Sequence, residues 1–250
     1  MRLTRIILYL FGCALLACDG ESSAENGGFS GQGGSMTRFA LYEQHLYVVD
    51  RLNLNIFNIG NDTFEKVGQI NIGGGLETIF ASNGYLYLGA MDGMYIYSLA
   101  ERSQPSFLFR YQHIVSCDPV FVQGNRAFVT LSNGISCNRG ANALEIIDIS
   151  DPYAPVLVEN YPMLSPRGLS VDGNLLFLCE GIHGFKVYDI SNEKQIRLIT
   201  HLTTFHSYDV IARDGIAVIT GENGIFQFAY DIVTGSFEPL SSIPVHRPEL

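Results

Sequence analysis

The stretch from Gly173 to Ser191, GNLLFLCEGIHGFKVYDIS, decides the fold. It contains a turn, a continuous apolar run typical of a buried strand, a glycine-containing loop, a second strand-like run and the tripeptide Asp-Ile-Ser. Short apolar runs bounded by Gly, Asn, Asp and Ser indicate strands that are joined by tight turns. Versions of this stretch recur along the chain, and the recurrence predicts a repeat architecture.

Five repeats align on a short apolar strand, and the central residues of these strands are Tyr47, Tyr87, Phe128, Phe177 and Val218. The steps between them are 40, 41, 49 and 41 residues. The longer step reflects an insertion at 132–143, between two strands of the third repeat. Each repeat supplies four strand-like runs, which in the fourth repeat are 168–171, 175–179, 185–190 and 195–202.

A period of 40 to 45 residues with four strands is that of a propeller blade. The predicted fold is therefore all-β: a five-bladed β-propeller of four-stranded antiparallel blades, spanning residues 36–250. A β-sandwich and an irregular β-solenoid are the alternatives. The high content of Gly, Tyr and Phe (26, 13 and 16 residues) suits strands and tight turns better than helices.

The amino terminus predicts export. Arg2 and Arg5 precede an apolar run from 6 to 17, which is too short to span a bilayer, where about 20 residues are needed. The run ends in Leu-Leu-Ala-Cys18, which resembles a bacterial lipobox. The resemblance implies cleavage before Cys18 and acylation of that cysteine, and several acyl chains anchor a protein firmly. An ordinary secretory signal is the alternative, and it would also export the chain.

Residues 1–17 are thus predicted to be a lipoprotein signal peptide, and 18–35 a lipidated cysteine with a flexible Gly/Ser-rich tether. The formal charge of −10 becomes −12 when Arg2 and Arg5 are removed with the signal. A strongly acidic chain argues against nucleic acid as a partner, because phosphate binding needs basic patches. The expected location is the bacterial cell envelope, either at the outer membrane or surface or on the periplasmic face of a membrane.

Two repeats carry a recognisable motif. Residues 144–158 read LEIIDISDPYAPVLV, and 185–191 read FKVYDIS, which repeats the first half. The motif closely resembles the LVIVD repeat of exported bacterial β-propeller lipoproteins. The resemblance implies a propeller at the cell surface or in the periplasm. The family has no agreed catalytic set, so the resemblance transfers no functional residues.

Propellers usually bind ligands on the face formed by the loops between the second and third strands and by the connections into each first strand. Polar residues predicted on that face form a mixed ring, which we treat as candidate binding residues: Asp50, Glu77, Asp92, Asp118, Arg139, Arg167, Glu180, His183, His206 and Asp209. Solvated loop tips with no ligand are the alternative interpretation. A polar surface with aromatic residues would suit a glycan or a protein of the envelope.

An enzyme is a second hypothesis, because some five-bladed propellers are glycosidases with paired carboxylates at the channel mouth. The candidate acids are Asp50, Asp92, Asp118, Glu180 and Asp209. None of them lies in a recognisable catalytic motif, and no HExxH, CxxC or nucleotide-binding glycine loop is present. We therefore expect no catalytic residues, no metal and no cofactor. A purely structural envelope protein is the third hypothesis.

Three cysteines would remain beside Cys18 in the exported chain. Cys117 and Cys137 are predicted on the same face of one blade, so we expect them to form a disulfide that pins the insertion at 132–143. Cys179 ends an apolar strand and is predicted to be a buried free thiol. The sequence as a whole predicts an exported, lipid-anchored propeller that acts as a non-catalytic binding module.

Overall fold

The computed structural model describes residues 33–60, 63–112, 119–133 and 142–245. These residues form twenty strands in five separate four-stranded antiparallel sheets. The predicted fold class, a five-bladed propeller of four-stranded blades, is confirmed. Within the described ranges no helix is long and apolar enough to span a bilayer.

Each blade contains four consecutive strands, named a to d from the first to the last, so the described blades share no strand. Blades 1 to 5 contain β1–β4, β5–β8, β9–β12, β13–β16 and β17–β20 respectively. The strand bounds, in chain order, are β1 Phe39–Tyr42, β2 His45–Val49, β3 Asn53–Asn58, β4 Glu65–Asn71, β5 Leu76–Ser82, β6 Tyr85–Ala90, β7 Gly93–Ser98, β8 Ser106–Tyr111, β9 Val120–Gln123, β10 Arg126–Leu131, β11 Ala143–Asp148, β12 Val156–Pro162, β13 Leu169–Asp172, β14 Leu175–Cys179, β15 Phe185–Asp189, β16 Arg197–Leu202, β17 Ser207–Arg213, β18 Ile216–Gly221, β19 Gly224–Tyr230 and β20 Phe237–Pro244.

The four strands predicted for the fourth repeat agree with β13–β16 to within two residues at every end. The insertion of the third repeat also lies where it was predicted, because β10 ends at Leu131 and β11 begins at Ala143. Most of that insertion, 134–141, is outside the described residues.

Apolar packing between neighbouring blades forms the core. The a strands line the channel at the centre of the ring, and each packs on the next: β1 on β5, β5 on β9, β9 on β13 and β13 on β17. Four apolar clusters fill the four spaces between successive blades. Side chains alternate between the two faces of a strand, so one blade contributes to two clusters. In β14, for example, Phe177 faces blade 5, while Leu176 and Leu178 face blade 3.

The outer strands repeat one irregularity. In all five blades the pairing of strand c with strand d shifts register, at Ile56/Phe57, Ile96/Tyr97, Ile146/Ile147, Val187/Tyr188 and Gln227/Phe228. Such a bulge bends a strand and increases its twist. Its recurrence at equivalent positions shows that the blades are repeats of one unit.

Polar contacts reinforce the spaces between blades. The Arg102 guanidinium of blade 2 donates to both carboxylate oxygens of Glu43 in blade 1, at 2.7 and 2.6 Å. The two parallel bonds of this planar pair fix orientation as well as adding energy. Arg126 of blade 3 donates from its Nε atom to both carboxylate oxygens of Glu193 in blade 4, at 2.8 and 2.9 Å.

The arc of five blades is not closed. No packing comparable to that of the other a strands joins β17 to β1. Among the described residues, therefore, no blade covers one sheet face of blade 5 or the opposite face of blade 1.

Candidate functional site

Two faces of the propeller can be distinguished by the loops that they carry. The first face carries the b–c loops and the connections into the a strands, and the eight predicted binding residues that the structure describes belong to it. The second face carries the a–b turns and the c–d turns. The channel between the a strands runs from one face to the other.

A short segment before β1 closes the described part of the channel at the first face. The Ser35 side chain is fully buried, and its hydroxyl accepts a hydrogen bond from the amide of Leu169 at 2.7 Å. The same hydroxyl donates to Asp209 at 3.4 Å, so Ser35 joins the a strands of blades 4 and 5. Residues 33–37 thus occupy the place where a ligand would enter from the predicted face.

The Asp209 carboxylate is held inside this closure. It accepts hydrogen bonds from the amides of Val210 and Met36 and from Ser35. Burial raises the pKa of Asp209 to about 6, although these hydrogen bonds oppose the shift. A Cβ at Gly168 would lie 2.0 Å from the Asp209 carboxylate, so a larger residue at 168 would not fit.

The Glu180 carboxylate is also buried and contacts other groups of the fold. Its side chain is 0% exposed, and it forms an ion pair with Lys186 on the neighbouring strand. The amide of Leu164 donates to its other oxygen at 2.9 Å. The fold therefore pairs the charge of this buried carboxylate with Lys186 and supplies an amide donor to its Oε1 atom, while Oε2 has no hydrogen bond beside that ion pair.

Asp50 and Asp92 order their own loops. Asp50 accepts hydrogen bonds from the amides of Leu52 and Asn53 at 2.9 and 2.8 Å, and these bonds lower its pKa to about 2. Asp92 accepts from Arg110 at 2.7 Å and from the Tyr95 hydroxyl at 3.0 Å.

The other described candidates lie on blades 2, 4 and 5. The Arg167 guanidinium lies over the Tyr208 ring, 5.3 Å from its centroid, and is solvent-exposed. The imidazole of His206 pairs with the Glu222 carboxylate. His183 is half-buried and its carbonyl accepts from His201 at 2.8 Å, while Glu77 is half-buried at the start of blade 2.

The eight predicted residues that the structure describes are distributed over blades 1, 2, 4 and 5. Blades 4 and 5 bring Arg167, Glu180 and Asp209 into one region, because the Gly181 and Ser207 backbones bridge the two blades. Asp118, Arg139, Cys117, Cys137 and Cys18 lie outside the described residues, so the predicted disulfide and lipidation stay predictions. Cys179 is confirmed as a fully buried free thiol. No group of His, Cys, Asp and Glu among the described residues is arranged to hold a metal ion.

A cavity of about 370 Å³ lies in the channel, and its rim consists of a–b turns on the second face. Its walls come from the a strands of all five blades and include Phe39, Phe80 and Val171, but polar groups contribute more of its accessible surface than apolar groups do. None of the eight described residues predicted to bind lines this cavity, because they belong to the opposite face. The alternation of apolar residues along the a strands was the signal that could have indicated it.

Polar side chains at the cavity rim differ in their exposure and in the hydrogen bonds and ion pairs that they form. The Gln123 amide exchanges two hydrogen bonds with the backbone of Gly173, at 2.9 and 3.0 Å, so it fastens blade 3 to blade 4. Arg213 is 64% exposed and its guanidinium contacts the neighbouring Asp214 at 3.2 Å. Ser82 and Asn83 complete the rim of blade 2. The cavity therefore combines aromatic walls with an accessible cation, a hydroxyl and an amide.

The geometry defines the chain as a β-propeller with a channel cavity. A family model, the LVIVD repeat, matches residues 117–162, as the motif at 144–158 predicted. The chain is thus a propeller that carries the LVIVD repeat. No curated protein sequence matches it significantly.

Solved structures share the fold at low sequence identity. A functionally unknown protein from Desulfotomaculum acetoxidans DSM 771 superposes with a TM-score of 0.69 at 11% identity, covering 81% of this chain and 67% of its own. A protein from Lactobacillus plantarum gives 0.67 at 13%, covering 80% and 67%. The periplasmic gluconolactonase of Pseudomonas aeruginosa gives 0.64 at 12%, covering 81% and 68%. These similarities establish the fold alone.

The Asp209 closure predicts a pH effect on stability. Because the folded pKa of about 6 lies above the reference 3.8, the native state binds the proton more tightly than the unfolded state. This stabilisation is complete well below pH 3.8 and is lost as pH rises through about 6, so Asp209 lowers the free energy of unfolding by about 2 kcal/mol at neutral pH relative to pH 4. Asp209→Asn should remove this slope in urea unfolding measured from pH 4 to pH 7.

Asp50→Asn is the matched control, because its pKa is lowered to about 2 and it should leave the slope between pH 4 and 7 unchanged. An unaltered slope in Asp209→Asn would show that Asp209 is not buried under residues 33–37.

Proposed function

We propose that the protein is an exported, lipid-anchored propeller that acts as a non-catalytic binding module at the bacterial cell envelope. The lipobox-like Leu-Leu-Ala-Cys18 supports the anchor, and the Gly/Ser-rich sequence between Cys18 and the buried Ser35 supports a flexible tether between membrane and propeller. The LVIVD repeat supports an exported propeller through its resemblance to envelope proteins.

The channel cavity is the observation that carries the binding role. At about 370 Å³ it falls in the size range of small-molecule sites, and its largely polar surface with aromatic side chains suits a polar ligand that also has an apolar face. The described carboxylates that were candidates for catalysis are instead bonded to Lys186, Arg110 or backbone amides. A general acid or nucleophile must be within reach of the substrate, so these bonds favour binding over hydrolysis.

A carbohydrate of the envelope fits the cavity best. Phe39 is 50% exposed and Phe80 is half-buried in the walls, so both offer aromatic surface to the apolar face of a sugar ring. Arg213, Ser82 and Asn83 at the rim can hydrogen-bond sugar hydroxyls.

The anchor is tested by metabolic labelling with an alkyne-bearing fatty acid. We expect the wild-type chain to incorporate the label and to partition into detergent, and Cys18→Ser to lose both properties because the acylated thiol is absent. Cys13→Ser is the matched control, since Cys13 lies inside the predicted signal and should leave labelling intact. A wild-type chain without label, with an intact mass that shows cleavage elsewhere, would contradict the anchor.

Binding is tested on the soluble chain 18–250 carrying Cys18→Ser, with arrayed envelope glycans and soluble envelope extracts as probes. We expect saturable binding that Arg213→Ala weakens about tenfold, equivalent to roughly 1.4 kcal/mol. Arg197→Ala is the matched control, because Arg197 is 70% exposed on an outer strand and pairs only with Asp189 among the described contacts.

Arg167→Ala distinguishes the two faces, since Arg167 is exposed on the first face. If Arg167→Ala loses binding and Arg213→Ala retains it, the result would contradict binding in the cavity and support a site on the first face. Glycosidase and lactonase assays on the same chain should be silent, and turnover in either would contradict a non-catalytic role.

A further inference from the structure

Two sheet faces lie at the ends of the open arc. The free face of blade 5 carries Ile211, Ile216, Val218, Ile225 and Ile243, and the free face of blade 1 carries Phe39, Leu41, Leu46, Val48 and Phe57. On blade 5, Ile211, Ile216 and Ile225 are 36–38% exposed and Ile243 is 64% exposed.

Equivalent positions inside the arc are buried. The strand pairing aligns Ile216, Val218 and Ile225 of blade 5 with Leu175, Phe177 and Phe185 of blade 4, which are at most 2% exposed because blade 5 covers them. The free face of blade 5 therefore has the apolar composition of a sheet face that packs against a neighbouring blade. Exposed apolar surface of this kind marks an interaction site.

The free face of blade 1 resembles the face of blade 5 that packs against blade 4. In blade 5, Phe228 and Phe237 stack with ring centroids 4.5 Å apart, and Phe185 of blade 4 packs on Phe237 at 5.3 Å. The strand pairing places Phe57 and Phe64 of blade 1 at the same two positions, and these rings also stack, at 5.0 Å. Phe64 is 68% exposed, because no blade covers this pair.

We infer that the free face of blade 5 docks on the free face of blade 1 of a second copy of this chain. In that contact Ile225 takes the place of Phe185 and meets Phe64, as Phe185 meets Phe237 within one chain. The outer positions are polar on both faces: Gln227 accepts from Ser241 on blade 5, and on blade 1 the Lys66 amino group donates to Asn55 and Gln69. Asparagine and glutamine side chains both donate and accept hydrogen bonds, so they can pair with each other.

The contact is head-to-tail, so two surfaces of different composition meet. If both ends of two copies engage, the assembly closes as a dimer. If the angle of the arc prevents this, each copy adds to the next and larger species form. Both results give a particle mass that is a multiple of the chain mass.

Cysteine cross-linking between two single variants tests the contact. Ile225→Cys and Phe64→Cys, each in the chain 18–250 with Cys18→Ser, are mixed and oxidised, and the products are separated under non-reducing conditions. We expect a mixed dimer, which only an intermolecular contact can form. Tyr153→Cys replaces Phe64→Cys in the control, because Tyr153 is equally exposed, at 63%, but lies in an outer turn of blade 3.

The double variant Ile225→Cys/Phe64→Cys distinguishes a contact between two copies from a contact between blades 5 and 1 of the same chain. A cross-linked monomer that migrates faster than the reduced chain, with no mixed dimer from the single variants, would overturn the proposal in favour of closure.

Sedimentation of the chain 18–250 with Cys18→Ser and no introduced cysteine provides a second readout. We expect Ile225→Lys to weaken self-association at least tenfold, whereas Val233→Lys, at a turn residue that is 87% exposed, should leave it unchanged. A wild-type chain that sediments as a monomer at every concentration tested would also overturn the proposal.

Discussion

Every blade of this protein is a sheet with two apolar faces, and each face must be covered by a neighbouring blade. Hydrophobic burial of this kind contributes about 25 cal/mol for each Å² removed from water, and it is the main favourable contribution to folding. Blades 2, 3 and 4 satisfy the requirement twice, with clusters on both sides. Blades 1 and 5 satisfy it once. The fold and the channel follow from the requirement that each face be covered, and the free faces follow from its being met only once in blades 1 and 5.

The same packing explains why charged residues have structural roles here. Glu180 is enclosed with Lys186 and the amide of Leu164 on the side of blade 4 that faces blade 3, and Asp209 is enclosed with Ser35 where blades 4 and 5 meet. A buried carboxylate is tolerated because the fold supplies these partners, and removing one partner would leave an uncompensated group. These two acids are therefore part of the joints between blade 4 and its neighbours. The cavity toward the second face keeps its polar groups at the solvent-exposed rim.

Much of the fold was predictable from the sequence. The apolar strand centred on Phe177 recurs at nearly constant spacing, and that spacing is sufficient to predict the number of blades and the strands of blade 4. The open arc was not predictable, because periodicity counts blades and does not report the angle between them. The exposure of Phe64 and Ile225 becomes informative only after strand pairing aligns them with Phe237 and Phe185.

The candidate site was predicted less well, for a physical reason. Loop order assigns residues such as Asp209 and Glu180 to a face, but it does not show which side chains turn inward to form hydrogen bonds. Ser35 illustrates the difficulty: it lies in a Gly/Ser-rich stretch that predicts a flexible tether, yet its hydroxyl bonds Leu169 across the channel. The polarity of the stretch was evident in the sequence, and its long-range contact was not.

Native-state hydrogen exchange, measured strand by strand on the soluble chain at a concentration where it is monomeric, tests the central claim most directly. If stability comes from covering both faces of a sheet, the amides of β10, β14 and β15 should exchange far more slowly than those of β2, β3, β18 and β19. Equal protection of all five blades in the monomer would contradict the account, because it would mean that blades 1 and 5 are covered as fully as the others.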